Sequence, residues 1–203
     1  MSTEYTRSQQ ALSRECIQEA LFLLMQDQPL DDITISAISE RSGISRMGFY
    51  RNYKTKTDVL NDYFRGELQR VLGRITDVEP MTAEKLTPVY FGYIQDHGER
   101  FKLALAGAGD NAFYQPFIEL VSDFFSQNIR RAWFTGPYAE YWKQFVSSGL
   151  YAVTVTWIKE DFATPIPTLV SVTNHLAAQP PRPVPNVAID DNNVTDDGTD
   201  VSE

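Results

Sequence analysis

Apolar positions recur along this chain at spacings of three and four, the period of a helix with one buried face. Leu12, Cys16, Ala20, Leu23 and Leu24 form such a stripe and predict a helix over residues 9–26. Gln28-Pro29-Leu30-Asp31-Asp32 interrupts it. Thr34 can then cap a short helix running to about Ser42, with Ile35 and Ile38 inward. Gly43 offers the left-handed conformation that ends a helix, and Ser45 caps the next short one, where Phe49 and Tyr53 repeat at four. Thr55 with Asp58 three residues on makes a capping box. It opens a long helix carried by Val59, Leu60, Tyr63, Phe64, Leu68, Val71, Leu72 and Ile75.

Beyond Pro80 the pattern stays helical, with helices expected over 83–96, 97–106, 112–133, 138–160 and 164–178. Breaks are expected at Gly107-Ala108-Gly109-Asp110 and Thr135-Gly136-Pro137. Val153-Thr154-Val155-Thr156 has strand propensity, but the surrounding helical pattern overrides it. The expected fold class is all-α, an N-terminal three-helix domain with a helix-turn-helix followed by a helical C-terminal domain. The division expected is 1–56, 57–178 and an acidic disordered tail over 179–203, whose prolines and acids cannot bury enough surface to offset the entropy of ordering.

Charge alters the picture. The formal total is −9 over 203 residues, which looks wrong for a protein that meets nucleic acid. The distribution reverses that impression. Arg41, Arg46, Arg51, Lys54 and Lys56 stand together with no acid between Arg41 and Lys56, while the tail carries Asp190, Asp191, Asp196, Asp197, Asp200 and Glu203 against Arg182. A local basic patch suffices for docking on phosphates, since attraction acts within about 8 Å at physiological salt.

The basic patch falls on the two short helices joined by a glycine turn, a helix-turn-helix unit whose second helix reads the major groove with its N-terminal residues. Those are Ser45, Arg46, Met47 and Gly48. Arg46 has the fork that matches guanine O6 and N7, Met47 suits a thymine methyl, and Gly48 is expected to let backbone approach DNA closely. Tyr50, Asn52, Tyr53 and Lys56 are expected where phosphates pass, and Thr34 offers a hydroxyl beside free amides. Phe49 is expected in the core.

The run from Ile33 to Lys56 resembles the N-terminal signature of the TetR family of bacterial transcription regulators. The matching features are Thr34 opening a helix, the small Ala37, Gly43-Ile44-Ser45, the pair Phe49-Tyr50, aromatic Tyr53, and Lys54-Thr55-Lys56. The resemblance implies phosphate contacts from Thr34, Tyr50 and Lys56 and base contacts from Ser45, Arg46 and Met47. Many members have His where this chain has Asn52, so that contact would be neutral. It also implies a homodimer, built on a four-helix bundle of the last two large helices of each subunit, that binds a double-stranded DNA operator and represses. The run 145–158 is similar to a subgroup that includes dihydroxyacetone-kinase operon regulators, some of which bind a partner protein instead of a small molecule.

The second half supports dimerisation independently. Tyr141, Phe145, Gly149, Val153 and Trp157 recur every four residues, and Leu169, Val172 and Leu176 give the next helix a stripe. Tyr90, Tyr93, Phe101, Phe117 and Tyr151, with Phe113, Tyr114 and Trp133, are candidate walls of a pocket for a small-molecule effector, although aromatic residues at helical spacing are more often core. The alternative is a co-regulator whose C-terminal domain meets a protein.

Enzyme chemistry is not expected. There is no Gly-x-Ser-x-Gly, His-Glu-x-x-His or Walker loop, and His97 and His175 are the only histidines. The single Cys16 falls on a helical apolar stripe, and the tail lacks the spacing of a calcium loop. No metal site and no cofactor are expected. No apolar run approaches the roughly 20 residues of a membrane helix, and the start lacks a secretory pattern, so a cytoplasmic protein with no membrane partner is expected.

Overall fold

Three hydroxyl side chains set the starts of three successive helices. Thr34 Oγ1 accepts from the Ala37 amide at 3.1 Å, Ser45 Oγ from the Gly48 amide at 3.1 Å, and Thr55 Oγ1 from the Asp58 amide at 3.2 Å. Asp58 answers by accepting from the Thr55 amide at 2.8 Å, which completes the capping box. The computed structural model, which describes residues 2–79, 82–128 and 139–177, thus shows α1 (Ser2–Met25), a 3-10 turn at Leu30–Asp32, α2 (Ile35–Ser42), α3 (Arg46–Asn52) and α4 (Lys56–Thr76). There follow α5 (Ala83–Asp96), α6 (Gly98–Asn128), α7 (Ala139–Lys159) and α8 (Ile166–Ala177). Among the described residues there is no strand, and Val153–Thr156 lie within α7. The class is all-α. The expected tail, Trp133 and the Thr135-Gly136-Pro137 break lie outside the described residues.

Gly43 turns α2 into α3 at φ 69°, a conformation costly for any residue with a Cβ. The Ile44 amide donates to Ser42 Oγ at 3.2 Å and fixes the turn. Beneath it, Ile38 and Phe49 are fully buried with Ile17 and Leu21 of α1 and with Val59 and Leu60 at the start of α4. Further along α4, Tyr63 and Phe64 join an aromatic chain with Phe101, Phe113 and Phe117 of α6, whose neighbouring ring centroids lie 4.6 to 5.9 Å apart. Tyr151 of α7 closes it against Phe113 and Phe117. One helix, α4, therefore carries both clusters.

Three expectations are corrected. Residues 97–106 and 112–133 were expected as separate helices, yet α6 runs unbroken through Gly107-Ala108-Gly109-Asp110. Gly107 serves packing there: a Cβ would meet Met25 Cε at 2.6 Å and Leu30 Cβ at 3.2 Å, so the glycine lets α6 lie directly on the end of α1. On α1 the inward positions are Ile17, Ala20, Leu21, Phe22 and Met25; Leu12 faces solvent and Cys16 is half-buried. On α7 the every-four stripe divides, because each four-residue step advances about 40° beyond a full turn. Tyr141 and Phe145 are 77% and 75% exposed, whereas Trp157, sixteen residues past Tyr141, is 1% exposed in its own subunit's core. Its ring meets Phe91 and Phe162, and its Nε1 donates to the Thr164 carbonyl at 2.7 Å. Leu169 of the next stripe is likewise buried, leaving Val172 outward.

Phe64→Ala should lower unfolding free energy by about 3–5 kcal/mol, the usual loss for a fully buried ring, measured by urea denaturation.

Candidate nucleic-acid interface

The N-terminal end of α3 and the cap of α2 present one polar, basic face. Thr34 and Ser45 are exposed as helix caps, with their hydroxyls already accepting from Ala37 and Gly48. Arg46 is exposed beside them, Met47 is 67% exposed and Tyr50 51% exposed. Met47 and Tyr50 thus stand in solvent together on a seven-residue helix.

Charge pairing separates this face from the body. Arg14 pairs with Asp62, Arg65 with Glu119, Arg70 with Glu67 and Arg100 with Glu19. Among the described residues, Arg41, Arg46, Arg51 and Lys54 have no acidic partner. The positive field on α2, α3 and the turn after them is therefore left open to an external anion despite the negative total.

Four residues expected at this face have other engagements. Lys56 Nζ donates to the carbonyls of Leu30 at 2.5 Å, Ile33 at 2.7 Å and Asp31 at 3.1 Å. All three ammonium donors thus close the 3-10 turn that leads into α2, and Lys56 positions the Thr34 cap instead of projecting to phosphate. Tyr53 is buried; its hydroxyl donates to Asp62 at 2.6 Å, and burial, then this hydrogen bond, raises its pKa well above the ordinary value. Asn52 is half-buried, with Nδ2 donating back to the Gly48 carbonyl at 2.9 Å. Gly48 answers a contact inside the protein: a Cβ there would lie 2.7 Å from Ile44 Cγ2, so its absence lets the turn close onto α3. Sequence spacing places all four next to the reading face but does not tell which side of a two-turn helix each one takes.

The aromatic residues expected to wall a pocket are close-packed instead. Phe101 and Phe117 are fully buried, and Tyr90, also buried, hydrogen-bonds Thr154 at 2.7 Å. Tyr93 donates to Glu67 Oε2 at 2.7 Å, and burial first, then Glu67, pushes its pKa up to about 12. His97 stacks on the Tyr93 ring at 4.2 Å, and Arg74 lies over it at 4.7 Å. Tyr151 packs edge-on against Tyr114. A groove of about 470 Å³ opens elsewhere, lined by Arg14, Asn52, Asn61, Ala112, Gln115 and Pro116 among others. Four separate elements contribute to it, so no local motif could have signalled it.

No group of His, Cys, Asp or Glu among the described residues could hold a metal ion, and none of the described helices is long and apolar enough to cross a membrane.

With this geometry in place, the comparisons define the class. Residues 82–179 match the family model described as Transcriptional regulator C-terminal region (TetR_C_8). The fold is shared with a dihydroxyacetone kinase operon activator, DhaS, at 16% identity and TM-score 0.57, over 82% of this chain and 94% of that one. It is shared also with the fatty acid degradation regulator FadR from Bacillus halodurans, at 15% identity and TM-score 0.55, over 81% and 93% of the two chains. A third neighbour is the TetR family repressor AlkX from a Dietzia species, at 15% identity and TM-score 0.55, over 80% and 94%. No curated protein sequence matches the chain. The match over residues 82–179 and the shared fold agree with the TetR resemblance read from the N-terminal run, and a dihydroxyacetone kinase operon regulator is among the structural neighbours.

Two substitutions check the assignments within the turn. Lys56→Ala should lower stability by about 1–3 kcal/mol in thermal or urea melts through the loss of its contacts with the Leu30, Asp31 and Ile33 carbonyls. It should leave the slope of log affinity against log salt for DNA unchanged, whereas loss of a phosphate contact would reduce that slope by about 1. Gly48→Ala should cost about 1–3 kcal/mol by overpacking against Ile44, and the double variant with Ile44→Ala should recover part of that loss.

Proposed function

We propose that the chain is a sequence-specific DNA-binding repressor that works as a homodimer on a pseudo-palindromic operator. The basic face of α2 and α3 carries this reading: in a chain of net charge −9, Arg41, Arg46 and Arg51 stand on these two short helices without acidic partners among the described residues, Arg46 at the start of the second. Thr34 and Tyr50 would contact phosphate, and Ser45, Arg46 and Met47 would face base edges, with Arg46 donating two hydrogen bonds to one guanine. Residues 1–56 form the reading head on this account, and 57–178 the body that senses and dimerises.

The dimer is supported by what the last two helices leave in water. Tyr141 and Phe145 on α7 and Val172 on α8 are large apolar side chains, exposed on helices whose other faces are in the core. Gly149, also exposed, would admit a second helix closely, since a Cβ there would have nothing within 4 Å in its own subunit. A two-fold pairing buries the same patch on both copies and spaces two recognition helices across successive major-groove faces. Repression follows from seating a dimer over a groove that other proteins must also enter. Among the neighbours named above one is an activator and one a repressor, so their names do not decide the sign.

Arg46→Ala should weaken binding to the cognate site by about 1–3 kcal/mol and flatten discrimination at one base position, measured by competition with single-base variants. Equal losses on cognate and random duplexes would remove Arg46 as a base reader. Phe145→Glu should leave a folded monomer at micromolar concentration by sedimentation, with cognate affinity reduced to that of a single reading head.

A further inference from the structure

Four cations stand together on the reading head with nothing among the described residues to hold them. Arg41, Arg46, Arg51 and Lys54 are exposed, and their side chains have no carboxylate, hydrogen-bonding or ring partner there. Elsewhere the described cationic side chains are engaged. Six pair with carboxylates, Arg74 lies over the Tyr93 ring, and Lys56 and Lys85 donate to backbone carbonyls. No acid lies between Arg41 and Lys56, so nothing cancels the field of this face locally. The chain carries a matching set of opposite sign. Residues 190–203, outside the described ones, hold Asp190, Asp191, Asp196, Asp197, Asp200 and Glu203 with no basic and no aromatic residue. Val194 and Val201 are their only large apolar side chains, so this segment offers a surface charge instead of apolar burial.

We propose that residues 190–203 of this chain dock on the basic face of α2 and α3 and compete there with DNA. Charge selects the place, since the described residues hold no second cluster of cations without partners. Carboxylates accept from the same guanidinium and ammonium groups that phosphate oxygens would otherwise take. Length permits the meeting. Asp196 stands nineteen positions beyond Ala177, the last residue of α8, and an extended chain of that length spans up to about 60 Å. A compact body of this size is about 40 Å across. A tethered competitor acts at an effective concentration in roughly the millimolar range, so contacts that are weak singly suffice together. The segment must leave before any duplex binds, so it lowers affinity for cognate and random DNA by the same factor. That consequence rests on the DNA-binding reading; the contact itself does not.

The test uses the full chain without DNA, with one nitroxide on Gly198→Cys in a Cys16→Ser background, followed by NMR. Amide signals of Arg46, Met47, Tyr50 and Lys54 should broaden at about 50 mM salt and recover at about 500 mM, as the screening length falls from about 14 to about 4 Å. Neutralising the segment (Asp190→Asn, Asp191→Asn, Asp196→Asn, Asp197→Asn, Asp200→Asn and Glu203→Gln) touches none of the described helices and should abolish the broadening. The neutralised chain, unlabelled, should bind a duplex from upstream of its own gene and a scrambled duplex about tenfold more tightly than the native chain at low salt. That gain corresponds to a face occupied roughly nine-tenths of the time, and it should vanish at high salt. Head signals broadened no more than those of the body, or broadening that survives neutralisation, would overturn the contact. Broadening with unchanged DNA affinity would overturn the competition. If neither chain binds either duplex while the broadening holds, the regulator reading fails and the contact stands.

Discussion

The account depends on α4 having one continuous apolar face packed into two clusters. Val59 and Leu60 lie against the helix-turn-helix, and Phe64, Leu68 and Val71 lie in the body, all fully buried. A helix cannot shift one end of a packed face without disturbing the other, since cores repack between discrete arrangements instead of deforming continuously. Head and body thus share a lever, and the Thr55–Asp58 capping box fixes where the lever begins. Nothing more elaborate is required to connect an event in the body with the position of the helix-turn-helix.

Electrostatics divides the same molecule differently. In the body, guanidinium groups are held by carboxylates or rings: Arg65 by Glu119, Arg100 by Glu19 and the Phe22 ring, Arg74 by the Tyr93 ring. Exposed pairs of this kind contribute little to stability. Their effect is to mask positive charge away from the head, so that the open basic groups define one docking face on an acidic protein. Lys56 shows the opposite use of a charge. Its ammonium is turned inward on three carbonyls, where it sets the approach to α2.

Much of this was legible in the sequence, for identifiable reasons. The helix starts followed from Thr34, Ser45 and Thr55 because capping is a local chemistry, and the turn followed from Gly43 because few other residues adopt its φ. The exposure of Arg46, Met47 and Tyr50 at the head of a short helix followed from the motif. What failed was long-range. Gly107 looked like a breaker, but its smallness serves a contact with Met25 and Leu30, more than seventy positions away. The stripe from Tyr141 to Trp157 looked like one face, but its period of four winds partway round the helix, which separates an exposed end from a buried one. Asn52 and Tyr53 could not be sided by spacing alone, and the groove they border exists only once α1, α4 and α6 are brought together.

The central claim is that the unpaired basic face reads DNA sequence. The most direct measurement is fluorescence anisotropy of the purified protein against a duplex from upstream of its own gene and a scrambled duplex of equal length, at two salt concentrations. The account predicts tighter binding to the upstream duplex, weakening steeply as salt rises, with the preference between the two duplexes retained. Weak binding that is equal for both duplexes at both salt concentrations would contradict it.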